Sequence, residues 1–144
     1  KVKVFPVGRL DYDAEGLLVL TNDGDLAERL SHPRYGVART YLAKVKGILT
    51  AQEIKRIKKG VKLADGMSPA MKITPLRKLQ KNSWLKVTLH EGRNRVVKRT
   101  FEAINHPVVQ LKRIGFASLT LEGLGSGDYR PLSPEEIERL RRPK

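Results

Sequence analysis

The sequence feature that most constrains this chain is a short acidic segment between two glycines. Gly8 and Gly16 bracket the segment, and Asp11, Asp13 and Glu15 alternate within it. Valines precede it at nearly every second position, and a run of leucine and valine follows it. Such patterns are typical of strands, and glycines mark turns. We therefore predict a loop held by a strand at each end, an arrangement that can position a reactive side chain. A solvated acidic turn would show the same spacing.

The chain is strongly basic, and its charge is unevenly distributed. It carries 29 Lys and Arg against 15 Asp and Glu, a formal net charge of +14. Six of the acidic residues lie between positions 11 and 28, whereas positions 39 to 113 hold 19 basic and four acidic residues. Because neutralised phosphates release counterions, such a surface favours nucleic acid over membrane as a partner. Charge by itself predicts binding and not chemistry.

Length and composition indicate one globular domain over residues 1–144. Of the 144 residues, 40% are hydrophobic, which is enough to build one core. The chain has no Cys for disulfides or thiolate metal sites, and its histidines show no ligand spacing. No apolar stretch reaches the length of a membrane span, and no secretory signal is visible. We therefore expect a cytoplasmic protein.

The periodicity of the chain predicts an α+β fold with a mixed, mainly antiparallel sheet and peripheral helices. On the strand predicted at 39–46, Tyr41 shares a face with two apolar residues. We interpret Trp84, the only tryptophan, as a packing residue rather than a platform for a base. Strands are expected at residues 1–7, 17–20, 39–46, 84–89, 108–114 and 117–121, with two short strands around the turn at 64–66.

Helices are predicted from their capping residues. Thr50 with Glu53, and Ser133 with Glu136, have the spacing of capping boxes. Asp25 is predicted to cap a further short helix.

A fourth helix, over residues 94–104, has an apolar stripe and an unusual concentration of charge. Cations at a helix start oppose the macrodipole, so their presence favours a phosphate or carboxylate partner. The cations near its start are Arg93, Arg95, Lys98 and Arg99.

Three segments, in this order, resemble the motifs of the bacterial ribosomal-RNA pseudouridine synthases. They are GRLDYDAEGLLVLTNDGDL at 8–26, RTYLAKVKG at 39–47 and EGRNRVVKR at 91–99. The closest likeness is to members that modify the large ribosomal subunit. The resemblance implies the pseudouridine synthase catalytic fold and an isomerase that converts a uridine of ribosomal RNA, expected to be 23S, into pseudouridine. It implies no cofactor and no metal, because the reaction has no redox step.

The resemblance also implies roles for individual residues. Asp11 is at the position of the catalytic aspartate, and Tyr41 is at that of the tyrosine that stacks on the target base. Lys98 corresponds to the cation that keeps the aspartate ionised. Most relatives have Arg there, and Arg99 is the alternative partner. Arg9 and Leu111 are expected to bind the substrate.

Five basic residues are expected to contact the RNA backbone near the target. Two other functions are also compatible with the residues. One is a basic RNA-binding module of ribosome assembly without catalysis. The other is a metal-dependent nuclease that uses the three alternating carboxylates. The five expected RNA-binding residues are Arg93, Arg95, Arg99, Lys112 and Arg113.

The start of the sequence predicts an incomplete domain. Relatives carry a small RNA-binding domain and an opening strand with a Lys-Pro motif, and neither is present here. We therefore expect the strand at 1–7 to lack a neighbour and to expose an edge through which another chain could associate.

Overall fold

The structure is a computed structural model that describes residues 3–93 and 95–142. Its largest element is a six-stranded sheet. The strands of this sheet are β2 (Glu15–Gly16), β4 (Arg39–Lys46), β7 (Lys72–Lys78), β8 (Asn82–Leu89), β9 (Val108–Phe116) and β10 (Leu119–Thr120). Their order is β10, β9, β4, β8, β7, and β2 also pairs with β9. The β2–β9 pairing is parallel, and the other pairings of this sheet are antiparallel.

Two further pairs of short antiparallel strands and the helices lie outside this sheet. β1 (Phe5–Pro6) pairs with β3 (Leu20–Thr21), and β5 (Lys62–Leu63) pairs with β6 (Gly66–Met67). The predicted α+β class, with a mainly antiparallel sheet and peripheral helices, is confirmed. The helices are α1 (Gly24–Ser31), α2 (Ala51–Lys59), α3 (Val96–Ala103) and α4 (Pro134–Arg141), with a 3-10 turn at Pro33–Tyr35.

The burial pattern of strand β4 distinguishes the two faces of the sheet. It lies between β8 and β9, and Ala43 and Val45 are completely buried on one side. We call this side the inner face, and Tyr41 packs against it as predicted. Side chains alternate along a strand, so Leu42 and Lys44 lie on the opposite, outer face. Helices α2 and α3 pack on the inner face and complete the larger core, with Ile57 and Phe101 fully buried.

A second, smaller core lies beside the sheet. Leu26 and Leu30 of α1 pack there with Leu140 of α4 and with Phe116 and Leu119 near the end of the sheet. The capping boxes predicted at the starts of α2 and α4 are both present. No helix in the described part of the chain is long and apolar enough to cross a bilayer.

The segment after the acidic loop differs from the prediction. Residues 17–20 were expected to form a buried strand, but Leu18 and Leu20 are 41% and 53% exposed. Leu17 donates its N–H to the carbonyl of Arg113 in β9, whereas the Val19 carbonyl accepts from Val7 N–H. Because the segment changes partners within three residues, no continuous ladder forms over it.

Three other predictions need correction. The strand expected at 1–7 reduces to Phe5–Pro6 and has a neighbour, because it pairs with β3. Residues 1 and 2 lie outside the described residues. Helix α1 is capped by Asp23 and not by Asp25, since the Asp23 side chain accepts from two backbone N–H groups of the first turn. Helix α3 begins at Val96, after Arg95 in the left-handed region; Asn94 is not among the described residues.

Candidate active site

The acidic loop is a turn fixed to the sheet through β2. The N–H of Ala14 donates to the carbonyl of Asp11 at 2.9 Å, which closes the turn. Gly16 then pairs with Arg113, and a Cβ at Gly16 would lie 2.2 Å from the Arg113 carbonyl oxygen. Its φ of +122° also disfavours other residues. Glycine is therefore required for the loop to approach the sheet this closely.

Arg113 also forms two hydrogen bonds with Leu17, the residue that follows β2. Its Nε donates to the carbonyl of Leu17 at 2.9 Å, and its own carbonyl accepts from Leu17 N–H at 2.8 Å. These reciprocal bonds tie the far end of the loop to the inner face of the sheet. The Asp11 turn is thus anchored to β9 on its C-terminal side.

A cavity of about 440 Å³ opens beside this turn on the inner side of the sheet. It brings together Asp11, Tyr41 and Leu111, which are separate in the sequence. Tyr41 is half-buried, whereas Leu111 is buried. The other predicted residues that line this cavity are Arg9, Arg93, Arg95 and Arg113. Lys98, Arg99 and Lys112 do not line it.

Two neighbouring carboxylates of the loop have different surroundings. Lys98, which is buried in α3, forms an ion pair with Asp13. Arg95 also contacts Oδ1 of Asp13, at 3.3 Å. The hydrogen bond from Lys98 is the largest factor that lowers the pKa of Asp13. By contrast, the Asp11 carboxylate forms no hydrogen bond or ion pair with another residue among 3–93 and 95–142. Lys98 was expected beside Asp11, so the pairing differs from the one implied by resemblance.

The floor of the cavity contains two buried guanidinium groups. Arg39 lies on β4 and Arg113 on the neighbouring strand β9, and their guanidinium carbons lie 5.4 and 4.7 Å from the centroid of the Phe116 ring. Burial is the main factor that lowers the pKa of Arg39. The Nη2 atom of Arg113 is buried without a hydrogen-bond partner in the described part of the chain. The cavity is therefore positively charged beneath its carboxylate.

The predicted RNA-binding arginines of the EGR segment are held in ion pairs. Arg93 contacts Glu91 at 2.6 Å and donates to the Met67 carbonyl at 2.7 Å. Arg99 donates to both oxygens of Asp65, at 2.8 and 3.3 Å. These contacts attach the β5–β6 turn to the start of α3. Asp65 thereby neutralises part of the basic surface beside the cavity.

Arg39 and Phe116 are cavity residues that the sequence analysis did not assign to the site. The alternation along β4 contained the signal, because Arg39 occupies the same face as Tyr41, Ala43 and Val45. A cation at a core-facing strand position is costly without a function or partner. Phe116 has no comparable signal, since an aromatic residue at a strand end is ordinary.

Among the described residues, no three His, Asp or Glu side chains lie close enough together to hold a metal ion. The arrangement instead combines a recessed carboxylate, an aromatic ring and several guanidinium groups. Such a site suits an enzyme that acts on an anionic substrate carrying a planar group.

Comparison with known proteins identifies the family. The family model for RNA pseudouridylate synthase matches residues 1–103. The chain is 49% identical over 141 residues to ribosomal large subunit pseudouridine synthase B of Bacillus subtilis strain 168, covering 96% of this chain and 58% of that protein. An uncharacterised RNA pseudouridine synthase of Aquifex aeolicus strain VF5 is 46% identical over 138 residues, covering 96% and 55%.

A solved structure agrees with these sequence matches. The crystal structure of a pseudouridylate synthase superposes with a TM-score of 0.86 at 31% identity, covering 96% of this chain and 60% of that one. This chain belongs to the RNA pseudouridylate synthase family. The catalytic fold implied by resemblance is confirmed. The chain spans a little over half the length of the curated relatives named above.

Proposed function

We propose that this chain is the catalytic domain of an isomerase that converts a uridine of 23S ribosomal RNA into pseudouridine, with Asp11 as the catalytic carboxylate. The observation that carries the proposal is the position of Asp11. Its carboxylate has no partner among the described residues, and it shares a cavity with Tyr41 and Leu111. The name of the Bacillus relative supports the large subunit as the substrate.

The reaction breaks the bond between uracil and the anomeric carbon, turns the base, and rejoins it through carbon five. A carboxylate can serve as a nucleophile at the anomeric carbon or at the ring, or as the base in a glycal route. Each route needs an ionised Asp11 held close to the base. The guanidinium groups that line the cavity surround this carboxylate with positive charge, which also attracts the phosphates of the RNA.

The residues around Asp11 have separate roles in this proposal. Tyr41 stacks on the flipped uracil, and Leu111 covers its other side. Arg9 is exposed at the mouth of the cavity, where it can occupy the space that the uridine leaves. Lys98 acts through Asp13: their ion pair fixes the turn that presents Asp11.

Basic residues at the cavity and around it position the RNA without reading its sequence. Arg93, Arg95, Arg99 and Lys112 contact phosphates near the target. Arg93 and Arg99 do so after exchanging part of their contact with Asp65. Arg113, only 3% exposed, contributes charge from beneath the cavity.

The proposal includes an association and a location. Val4 and Phe5 are 54% and 42% exposed, and Val4 lines a mainly apolar cavity of about 650 Å³ together with Leu18 and Leu20. An extended polypeptide segment could pair with this strand edge. Mass spectrometry of the purified protein, with analytical ultracentrifugation, tests this point, and a monomer without bound peptide would contradict it. The proposed ribosomal RNA substrate supports a cytoplasmic location.

The test of the function is the Asp11→Asn variant. It removes the charge of the carboxylate with little change in volume, so we expect no pseudouridine formation and nearly unchanged RNA affinity. Tritium release from uracil-labelled ribosomal RNA measures the reaction. Asp25→Asn, an exposed change in α1, is the control and should keep wild-type activity. Release by the Asp11 variant at the wild-type rate would disprove the assignment.

Reverse-transcription mapping of pseudouridines in ribosomal RNA then identifies the target. Cells that contain the full-length protein are compared with cells that lack it. A single stop that disappears from the 23S RNA of the deletion strain is the expected result. The loss of a stop from the small-subunit RNA instead would contradict the 23S substrate.

A further inference from the structure

The outer face of the sheet carries no acidic residue on its long strands. Strands β4, β7, β8 and β9 contain neither Asp nor Glu. Their outward positions include several cations, and no internal ion pair within these strands can neutralise them. The basic residues at outward positions are Lys44, Lys72, Arg77, Lys86 and Lys112.

Trp84 lies at the centre of this basic face. Its strand neighbours in register are Lys44 on β4 and Arg77 on β7, so a cation flanks the indole on each side. Lys44 Nζ lies 5.9 Å from the ring centroid. Trp84 is partly exposed and does not belong to either buried cluster of the described residues. Trp84 thus lies on the partly exposed face of the sheet, and its interpretation as a packing residue stays a prediction.

We propose that the outer face around Lys44, Arg77 and Trp84 is a second RNA-binding surface, separate from the Asp11 cavity on the inner face. Proteins that bind single-stranded nucleic acid without sequence preference combine cations that contact phosphates with aromatic rings that stack on bases. A ring between two cations on neighbouring strands provides both contacts. The absence of acidic residues from these strands opposes a second copy of the chain, since two such faces would repel each other.

This surface continues to a residue already placed in RNA binding. Lys112 lies on the outer face, opposite Leu42, while its neighbours Leu111 and Arg113 face the cavity. An RNA strand that contacts Lys112 thus passes the edge of the sheet and reaches the outer face. The inference rests on RNA as the proposed substrate, but it does not depend on the chemistry of Asp11.

The single tryptophan makes the surface directly observable. We expect single-stranded oligouridylate of about 12 nucleotides to quench the fluorescence of Trp84, because a stacked base contacts the ring. Asp11→Asn should show the same quenching, because binding at this surface does not depend on the reaction at Asp11. Binding of the oligonucleotide without a change in fluorescence would overturn the proposal. Quenching by anionic lipid vesicles and not by RNA would overturn the choice of partner.

Matched charge variants test the same surface without fluorescence. The outer-face variant is K44Q/R77Q/K86Q, and the control is K55Q/K58Q/K59Q, which removes equal charge from exposed positions of α2. We expect the salt dependence of RNA binding to lose about 2 to 3 units of log–log slope in the first variant and little in the control. Equal losses in both variants would overturn the proposal, and unchanged melting temperatures confirm that both are folded.

Discussion

Lys98 pairs with Asp13, two residues beyond Asp11 in the same turn. The turn closed by the Asp11 carbonyl and Ala14 N–H directs the two carboxylates differently: Asp13 meets α3, and Asp11 lines the cavity. A buried ammonium group is therefore neutralised by a carboxylate that has no part in the proposed chemistry. The proposed catalytic carboxylate stays available for a substrate.

The Lys98–Asp13 pair predicts a specific pH dependence of stability. Lys98 lowers the pKa of Asp13 below its ordinary value of 3.8. A carboxyl with a lower pKa in the folded state stabilises that state above its unfolded pKa and loses this effect as the pH falls through the folded value. We therefore expect Asp13→Asn to reduce the free energy of unfolding at pH 7, by an amount that shrinks below about pH 4.

Urea denaturation of the wild type and of Asp13→Asn at pH 7 and at acidic pH measures this dependence. Asp25→Asn is the control, because Asp25 is exposed in the first turn of α1. A destabilisation by Asp13→Asn that is the same at both pH values would show that the ion pair is not its cause.

Gly16 predicts a large effect from a single methyl group. In Gly16→Ala the added carbon would meet three backbone atoms of Arg113 within 2.9 Å, and backbone atoms cannot move aside cheaply. We expect a loss of about 1 to 3 kcal/mol in the free energy of unfolding, with a loss of activity because the Asp11 turn shifts. Gly24→Ala is the control: its added carbon meets nothing within 4 Å, so stability should be unchanged or slightly higher. Similar stabilities for the two variants would contradict this account.

Much of the fold could be predicted from the sequence, because local signals and tertiary packing agree. Strand β4 was predicted with its observed bounds, Arg39–Lys46, since its alternation matches a strand buried on one face. The capping boxes at Thr50 and Ser133 were also predicted, because capping involves residues close in sequence. Of these elements, β4 carries Tyr41, the second member of the site.

The structure differs from the sequence-based prediction where contacts between residues distant in sequence determine the conformation. Whether Asp11 or Asp13 meets Lys98 depends on the direction of a turn relative to a helix that is far away in sequence. The apolar run at 17–20 has the composition of a strand, but Leu17 bonds to β9 whereas Val19 bonds to Val7. No single neighbouring strand therefore pairs with the whole run. Likewise, the alternation along the strand of Trp84 does not show which face of the sheet this residue occupies. Only the register with β4 and β7 places it on the outer face.

Tyr41 predicts different results for two substitutions. Its hydroxyl forms no hydrogen bond to another residue in the ranges 3–93 and 95–142, so Tyr41→Phe removes no protein contact there. Base stacking on an aromatic ring is worth roughly 1 to 3 kcal/mol and needs only the ring. We expect Tyr41→Phe to retain more kcat/KM than Tyr41→Leu in the tritium-release assay. Equal losses in both, at unchanged melting temperature, would exclude stacking as the main role.

Asp65 predicts a variant that binds RNA more tightly. Its carboxylate accepts two bonds from Arg99 and lies 3.5 Å from Arg93, and Arg99 is the main cause of its lowered pKa. RNA phosphates must compete with this carboxylate for the same two guanidinium groups. We expect Asp65→Asn to raise the affinity for ribosomal RNA and to make the log–log salt slope steeper by about 0.7 to 0.9 for each new phosphate contact.

Glu102→Gln is the matched control for Asp65→Asn. Glu102 is exposed on α3, and its substitution changes the net charge equally without releasing Arg93 or Arg99. Filter binding at several salt concentrations compares the two variants. Because the Asp65 contacts also attach the β5–β6 turn to α3, Asp65→Asn should melt at a slightly lower temperature while binding more tightly. Equal gains in affinity for both variants would mean that only net charge matters and that Arg93 and Arg99 do not meet the RNA.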